Sequence, residues 1–371
     1  MEESEVNPFD ERLVSLAQAV RRRKLDALLV FGEANLRALT GLVCDNGCLI
    51  VFPSAKANGA PVRPPIFITD FRYIPMAHRV APWLRTEEQM KGIGLAGTAQ
   101  KLLKAARVKV ARLGFERAIS AGTYLSLQKL FKGAVLVECE DEVLSLRSVK
   151  TVDEITRLAA AEALNDEIWK LAQKDIKPGM TEKTIQRIIR AYMNELGDGE
   201  AFETIVCAGA NAAECHHIPD ETVWQKGEPL LVDMGVKLDG VCSDMTRNIK
   251  PKGKFATAEY EKIYQTVLAA NLAAIAAAKP GITGQELDKV ARDVIAKAGY
   301  GANFGHSLGH GVGYEIHEEP RASTQCTTVF QPGMLVTIEP GIYLEGRLGV
   351  RIEDLVLITT TGCEVLSHSK K

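Results

Sequence analysis

The sequence predicts an α+β chain in two domains, an α/β layer domain over residues 1–148 and a duplicated helix-and-hairpin domain over 149–371. Three observations predict it. At 371 residues the chain is longer than one hydrophobic core ordinarily supports. Apolar strand-like runs alternate with helical patterns through its first part. In the second part, Lys177-Pro-Gly-Met-Thr181 returns as Lys279-Pro-Gly-Ile-Thr283.

In the first part a charged helical pattern over 10–23 leads to a strand, Leu25–Val30. Further strands are expected at Cys48–Phe52, Pro65–Thr69, Lys109–Leu113 and Ala134–Glu138, with helices over 96–106 and 120–131. A new helix opens after Thr151. Glu154 stands three residues on, so hydroxyl and carboxylate can each satisfy an orphan backbone donor in a capping box. The domain boundary is placed just before it, near Arg147–Lys150. Each KPGxT copy follows a long helical pattern (151–174 and 257–278) and precedes a shorter one (182–196 and 284–298). Each shorter pattern then reaches a glycine, Gly197 or Gly299. KPG is a common turn, but matched helices on both sides favour a duplicated half-domain with pseudo-twofold packing.

Composition narrows the function classes. Net charge is −2, so no basic surface recommends nucleic acid or membrane as a partner. The start, MEESEVNPFDERL, has no basic-then-apolar leader pattern, and no apolar run reaches membrane-spanning length. The eight cysteines are scattered without a CxxC pair. They are expected to be reduced thiols in a cytoplasmic chain, mostly packed in cores.

Chemistry concentrates in four segments. In EPLLVDMGVKLDGVCSDMTRNIK, Asp239-Gly240 between apolar runs signals a two-residue hairpin turn. The register then sets Leu238 against Val241, Gly235 against Asp244 and Asp233 against Thr246. Val232, Met234, Val236, Leu238, Val241, Met245 and Ile249 share a core face with Ser243 and Arg247. Asp233, Asp244, Thr246 and Asn248 share the other. Asp233 and Asp244 become diagonal neighbours about 7–8 Å apart at the backbone, close enough to converge on a cation. An exposed polar strand face is the alternative.

The run ANFGHSLGHGVGYEIHEEPR carries His306, His310 and His317. Five glycines between 301 and 313 exclude a stable helix, so His306 and His310 are not a helical i,i+4 pair. Three histidines within twelve residues suit a site wall. In MLVTIEPGIYLEGRLGVRIEDLVLI, a three-residue loop centred on Gly346 sets Glu339 opposite Glu353, with Pro340 weakening the ladder. Glu353 within an apolar run needs a cation or a donor, and Arg351 is the alternative partner. Finally, FETIVCAGANAAECHHIPD offers His216 as a hydrogen-bond donor beside the cations, with His217 read as a surface histidine. Two aspartates, two glutamates and an imidazole suit a pair of divalent ions, Mn, Co, Fe or Zn, and metal-assisted amide hydrolysis.

Four motifs in order, VDMGVKLDGVCSDMTR, GHSLGHGVGYEIHE, TIEPGIY and VRIED, resemble the creatinase/prolidase/methionine-aminopeptidase metallopeptidases over about residues 150–371. The first domain resembles the creatinase-type N-domain of prolidases and aminopeptidase P. The resemblance implies a pita-bread catalytic fold and two divalent ions, Mn favoured, on Asp233, Asp244, His310, Glu339 and Glu353, with Asp244 and Glu353 bridging. It implies that Glu339 transfers a proton. It further implies that His216, His306 and His317 orient substrate and stabilise the intermediate, and that Arg351 braces the site. Cleavage before proline, by a dipeptidase or an aminopeptidase, and a homodimer are expected on the same ground. Cys215 stands where the family often has proline, which suggests oxidation sensitivity; a packed, unactivated thiol is the alternative. A creatinase-like hydrolase or lyase acting on another small molecule, or a binding protein without chemistry, is the other reading. The complete ligand set argues against the binding protein.

Overall fold

The strands Ala27–Val30 (β1), Gly47–Val51 (β2) and Ile66–Thr69 (β3) are buried at every residue, the mark of a sheet covered on both faces. The computed structural model describes residues 8–56 and 61–371, so the acidic start read above for a leader lies largely outside the described part. The chain divides into two units, Met1–Arg147 and Ser148–Lys371.

In the first unit β1, β2 and β3 join Arg85–Glu88 (β4), Arg112–Phe115 (β5) and Val135–Glu138 (β6) in one sheet, ordered β4-β3-β2-β1-β5-β6. Its side chains alternate between two cores. Leu28, Val30, Leu49, Val51 and Phe67 enter one, and Ala27, Leu29, Cys48, Ile50, Ile66 and Ile68 enter the other. Helices Pro8–Arg22 (α1), Gly94–Ala105 (α4) and Ala121–Leu130 (α5) lie where helical patterning put them. The fifth strand starts three residues later and ends two residues later than expected, at Arg112–Phe115 rather than Lys109–Leu113. Three short helices, Glu33–Thr40 (α2), Ile74–Val80 (α3) and Glu140–Ser148 (α6), and the polar strand β4 went unread. Each spans too few residues to establish a period.

The second unit is built twice over. Val152–Asp175 (α7) starts at the expected capping box, with Thr151 and Glu154 each bonding the other's backbone N–H. With Glu182–Leu196 (α8) it packs on Ile205–Ala208 (β7), Leu230–Met234 (β8) and Met245–Ile249 (β11). Two short strands, Lys237–Leu238 (β9) and Val241–Cys242 (β10), close that hairpin. Ala258–Ala277 (α9) and Gly284–Lys297 (α10) pack on Leu335–Ile338 (β14), Asp354–Ile358 (β17) and Cys363–Val365 (β18). Gly309–Gly311 (β12) pairs with Glu318–Ala322 (β13), and Gly341–Leu344 (β15) with Leu348–Arg351 (β16).

The pseudo-twofold repeat is visible bond by bond. Gly179 N–H donates to Trp224 O (2.8 Å) and Gly281 N–H to Phe330 O (2.9 Å). Trp224 N–H returns to Met180 O (2.9 Å) and Phe330 N–H to Ile282 O (2.8 Å). Thr181 and Thr283 cap α8 and α10. The chain turns sharply between the two helices of each half, and Gly179 and Gly281 do so at φ +99° and +90°, where a Cβ is strained. The second unit thus has the duplicated helix-and-hairpin architecture that the KPGxT repeat predicts.

Both KPG glycines face open space, so the cost of a side chain there is backbone strain alone. We predict that Gly179→Ala and Gly281→Ala each lose about 1–2 kcal/mol in urea unfolding. Gly362→Ala, equally open but at ordinary φ, should lose much less. Equal effects at all three positions would show that the turns are not the reason.

Candidate metal centre and active-site cavity

Two hairpins carry the acidic side chains, and both hold the register read from their turns. Val241 faces Leu238 and Thr246 faces Asp233. Leu348 faces Leu344, Arg351 faces Gly341 and Asp354 faces Ile338. The second ladder breaks where Pro340 interrupts it, so Glu339 N–H turns to Leu308 O and Glu353 N–H to Thr246 O. In each half, one carboxylate lies at or just past the end of the first strand (Asp233 on β8, Glu339 after β14). The other immediately precedes the second strand (Asp244 before β11, Glu353 before β17). The pseudo-twofold therefore superposes two carboxylate pairs at its centre.

These four groups and His310 line one cavity of about 420 Å³. His310 Nε2 lies 3.6 Å from Asp244 Oδ2 and 3.5 Å from Glu339 Oε1. Among the described residues, atoms of Asp244, His310 and Glu353 lie within 4.8 Å of one another, close enough to hold one ion. His310 Nδ1 sits 3.1 Å from Gly311 O. A proton on Nδ1 donated there leaves the Nε2 lone pair facing the carboxylates. Gly309 allows this approach, because a Cβ there would stand 1.9 Å from Thr337 O.

The electrostatics describe a site that wants cations. Burial, then the neighbouring carboxylates, push the Asp244 and Glu353 carboxyls well above the usual range. Burial raises Glu339 to about 8 and lowers His310 to about 3. Asp233 Oδ1 is buried with no hydrogen-bond partner, an orphaned acceptor that a cation would satisfy. Arg351 is fully committed elsewhere. It donates to Asp233 Oδ2 (2.7 Å), Thr246 Oγ1 (3.0 Å), the Tyr343 hydroxyl (3.1 Å) and Cys215 O (3.4 Å). Its partner is therefore Asp233, and Glu353 instead accepts from Thr246 Oγ1 at 2.7 Å.

His216, His306 and His317 also line the cavity. His317 packs edge-on against His310, ring centroids 4.4 Å apart. His306 is held at both nitrogens, by Ser307 O and the Tyr343 hydroxyl, each at 2.8 Å. Burial drives it down to about 4, so it is neutral at physiological pH. In this arrangement His306 braces the wall through Tyr343 and has no ring nitrogen left to offer. Cys215 is half-buried and its thiol is pushed up by burial, the environment of a packed thiol rather than an activated one.

Sequence reasoning missed several supporting groups. Thr246 was placed on the acidic face without a role. Glu162 on α7 accepts from Asp244 N–H (3.0 Å) and Ser367 Oγ (2.6 Å), and Asn271 on α9 donates to Ile338 O (3.0 Å) and Asp354 Oδ2 (2.9 Å). Arg247, read as a misfit on a core face, is buried because Asp354 pairs with it at 2.9 Å. His217 corrects the expectation outright. It is not a surface side chain but is buried against Glu182, Nε2 to Oε2 2.8 Å.

With this geometry in place, similarity to known proteins is decisive. Residues 156–360 match the model of metallopeptidase family M24, and residues 12–149 match the creatinase/prolidase N-terminal domain. The chain belongs to metallopeptidase family M24. It is 34% identical to an uncharacterized peptidase of Bacillus subtilis, over 94% of this chain and 95% of that one. It is similar to the Xaa-Pro dipeptidase from Bacillus anthracis, with a TM-score of 0.90, 32% identity and 98% of each chain covered. It is also similar to the X-Pro aminopeptidase from Thermotoga maritima, with a TM-score of 0.82, 30% identity, and 94% of this chain and 97% of that one covered. Among the described residues no helix is long and apolar enough to cross a membrane.

The raised carboxyls make a pH prediction for the metal-free enzyme. A carboxyl whose folded pKa exceeds its unfolded value holds its proton more tightly when folded. Its contribution to stability is present at low pH and lost as pH rises through the folded value. After chelation, the urea midpoint should fall between about pH 5 and pH 8, and Mn should abolish the fall. A metal-free midpoint that rises over this window would contradict the burial of these groups.

Proposed function

We propose that this M24 enzyme hydrolyses the peptide bond preceding proline, with Xaa-Pro dipeptides as preferred substrates. The observation that carries the reading is the convergence of Asp233, Asp244, Glu339, Glu353 and His310 Nε2 at one wall of a single cavity. Four carboxylates and one neutral imidazole match a pair of divalent ions in charge and donor type. Asp233, Asp244, His310, Glu339 and Glu353 would hold these ions. When bound, such ions supply Lewis acidity toward the scissile carbonyl and acidify water.

The chain's own groups do the rest. Glu339, whose carboxyl burial already raises, takes a proton from the water that attacks the carbonyl carbon and passes it to the proline nitrogen as the C–N bond breaks. His216 and His317, on the cavity wall, donate toward the developing oxyanion. Arg351 fixes Asp233 by a bond of 2.7 Å, and Tyr343 fixes His306. Phe202, Ile205, Ile218 and Ile316 supply an apolar wall suited to a pyrrolidine ring.

Arg321 favours the dipeptide over longer peptides. It lines the cavity and pairs loosely, at 3.9 Å, with half-exposed Glu319. A guanidinium so placed suits a free carboxylate one residue past the scissile bond. The similarity to the Xaa-Pro dipeptidase from Bacillus anthracis points the same way. The similarity to the X-Pro aminopeptidase from Thermotoga maritima keeps the second reading, removal of an N-terminal residue from longer peptides. Mn as the preferred ion over Co, Zn or Fe, a cytoplasmic location, a homodimer and the division at 148/149 belong to the same proposal. The ion and the dimer rest on the resemblance of the motifs, the location on the scattered cysteines, and the division on the helix that opens after Thr151.

The test compares Ala-Pro with Ala-Pro-Ala, with Mn and with chelator. Turnover of Ala-Pro should require metal, and Asp244→Asn should lose both metal and turnover while staying folded by circular dichroism. Full activity of that variant at stoichiometric Mn would end the assignment. Arg321→Leu should raise KM for Ala-Pro by about tenfold or more and change kcat less. No change in KM would return the aminopeptidase reading to first place.

A further inference from the structure

The loop that carries His216 is held from behind by a group outside the cavity. Residues 209–220 pass from the end of β7 along the cavity and back to the start of α8. Glu182, the first residue of α8, is fully buried beneath this loop. Its Oε1 accepts from Ala208 N–H (2.7 Å) and the Asn211 amide (3.0 Å). Its Oε2 accepts from Asp220 N–H (3.1 Å) and faces His217 Nε2 (2.8 Å). One carboxylate thus ties both ends and the middle of the loop. Between those ties, Cys215, His216, His217, Ile218 and Pro219 line the cavity.

Glu182, His217 and Asp220 lie close enough to suggest a second metal cluster, but the donors argue otherwise. Four N–H groups occupy the roughly four lone-pair positions of the Glu182 carboxylate. The His217 ring is flanked by Glu182 and by Glu214, whose Oε2 lies 3.3 Å from Nδ1. Those two carboxylates raise its pKa although burial opposes them. The pseudo-twofold also shows that helix packing does not call for a glutamate there. The residue after the cap in the other half is Gly284, where a Cβ would meet Arg321 O at 2.1 Å. One half brings a strand against its helix start, and the other uses the same position to grip a loop.

We propose that the Glu182–His217 pair clamps the substrate-facing loop 209–220, making His217 a positioning residue for its neighbour His216. The inference rests on the reading that His216 meets the substrate. His217 borders the cavity too, but its ring nitrogens face Glu182 and Glu214, so on this account it holds the loop and not the substrate. Loss of the clamp should impair the step that His216 serves and leave metal binding intact.

The experiment uses the full chain loaded with Mn, as wild type, His217→Ala and His217→Gln. Glutamine places an amide N–H near the position of Nε2. Three quantities are read: hydrogen exchange over 208–220, Mn affinity by calorimetry, and kcat and KM on Ala-Pro. In His217→Ala, exchange should rise across the loop and kcat should fall about ten- to a hundredfold. KM should move by less than about threefold, and Mn affinity should be unchanged. Glutamine should recover most of the protection and of kcat. The proposal is overturned by unchanged loop exchange in His217→Ala, by a parallel loss of Mn affinity, or by glutamine doing no better than alanine. If wild type fails to cleave Ala-Pro, the proposed function fails, and the exchange comparison alone decides the clamp. If the alanine variant does not fold, His217→Gln is compared with His217→Asn, whose amide mimics Nδ1. Protection kept by glutamine and lost by asparagine supports the clamp, and equal protection refutes it.

Discussion

Asp244 and Glu353 are almost wholly buried side by side, with Glu339 and Asp233 at the same cavity wall. Ionised carboxylates taken out of water repel one another and lose hydration, so the pair can persist only protonated or neutralised. Arg351 neutralises Asp233 but leaves the others uncompensated. The rest of the catalytic unit can be read as the scaffold that this constraint requires. Two sheets present the acids and helices cover the outside, while Arg351 holds Asp233, Thr337 holds Glu339, Thr246 holds Glu353 and Glu162 holds the Asp244 backbone.

Duplication solves the geometric part of the problem. A hairpin crossing the core can place one carboxylate at the end of its first strand and another just before its second. Two such hairpins related by a pseudo-twofold bring four carboxylates together, with neither half carrying a complete site. The price is that the halves must be locked in register. The buried asparagines Asn165 and Asn271 each reach from a long helix to a strand-end carbonyl, Met234 O and Ile338 O. Arg247 reaches from the first half to Asp354 and Ser369 in the second.

The active-site face is less symmetric than the metal floor. One side is the glycine-rich run that delivers His310 and His317. The other is the 209–220 loop, tied to Glu182 behind and to Arg351 in front. The four carboxylates are built into the duplicated sheets, whereas the residues proposed to meet the substrate, His216 and Arg321, lie on the 209–220 loop and on β13. That separation lets one fold serve related peptidases that differ in the peptide they accept.

By itself the sequence determined those features that depend on neighbours along the chain. Period-two alternation and an Asp-Gly turn were enough to pair Asp233 with Thr246. A glycine-centred loop was enough to set the register on both sides of the break where Glu339 and Glu353 lie. The capping box at Thr151 and the KPGxT repeat were legible for the same reason, because local hydrogen bonds and φ restrictions act over a few residues. Ordered motifs then carried the family. Only the tertiary structure decided the partners that lie far apart in sequence: Arg351 with Asp233 rather than Glu353, Arg247 with Asp354, Glu162 under Asp244, and His217 buried on Glu182. A charged or imidazole side chain carries no local mark of whether water or a distant counter-charge will solvate it, and that choice is made when the elements pack.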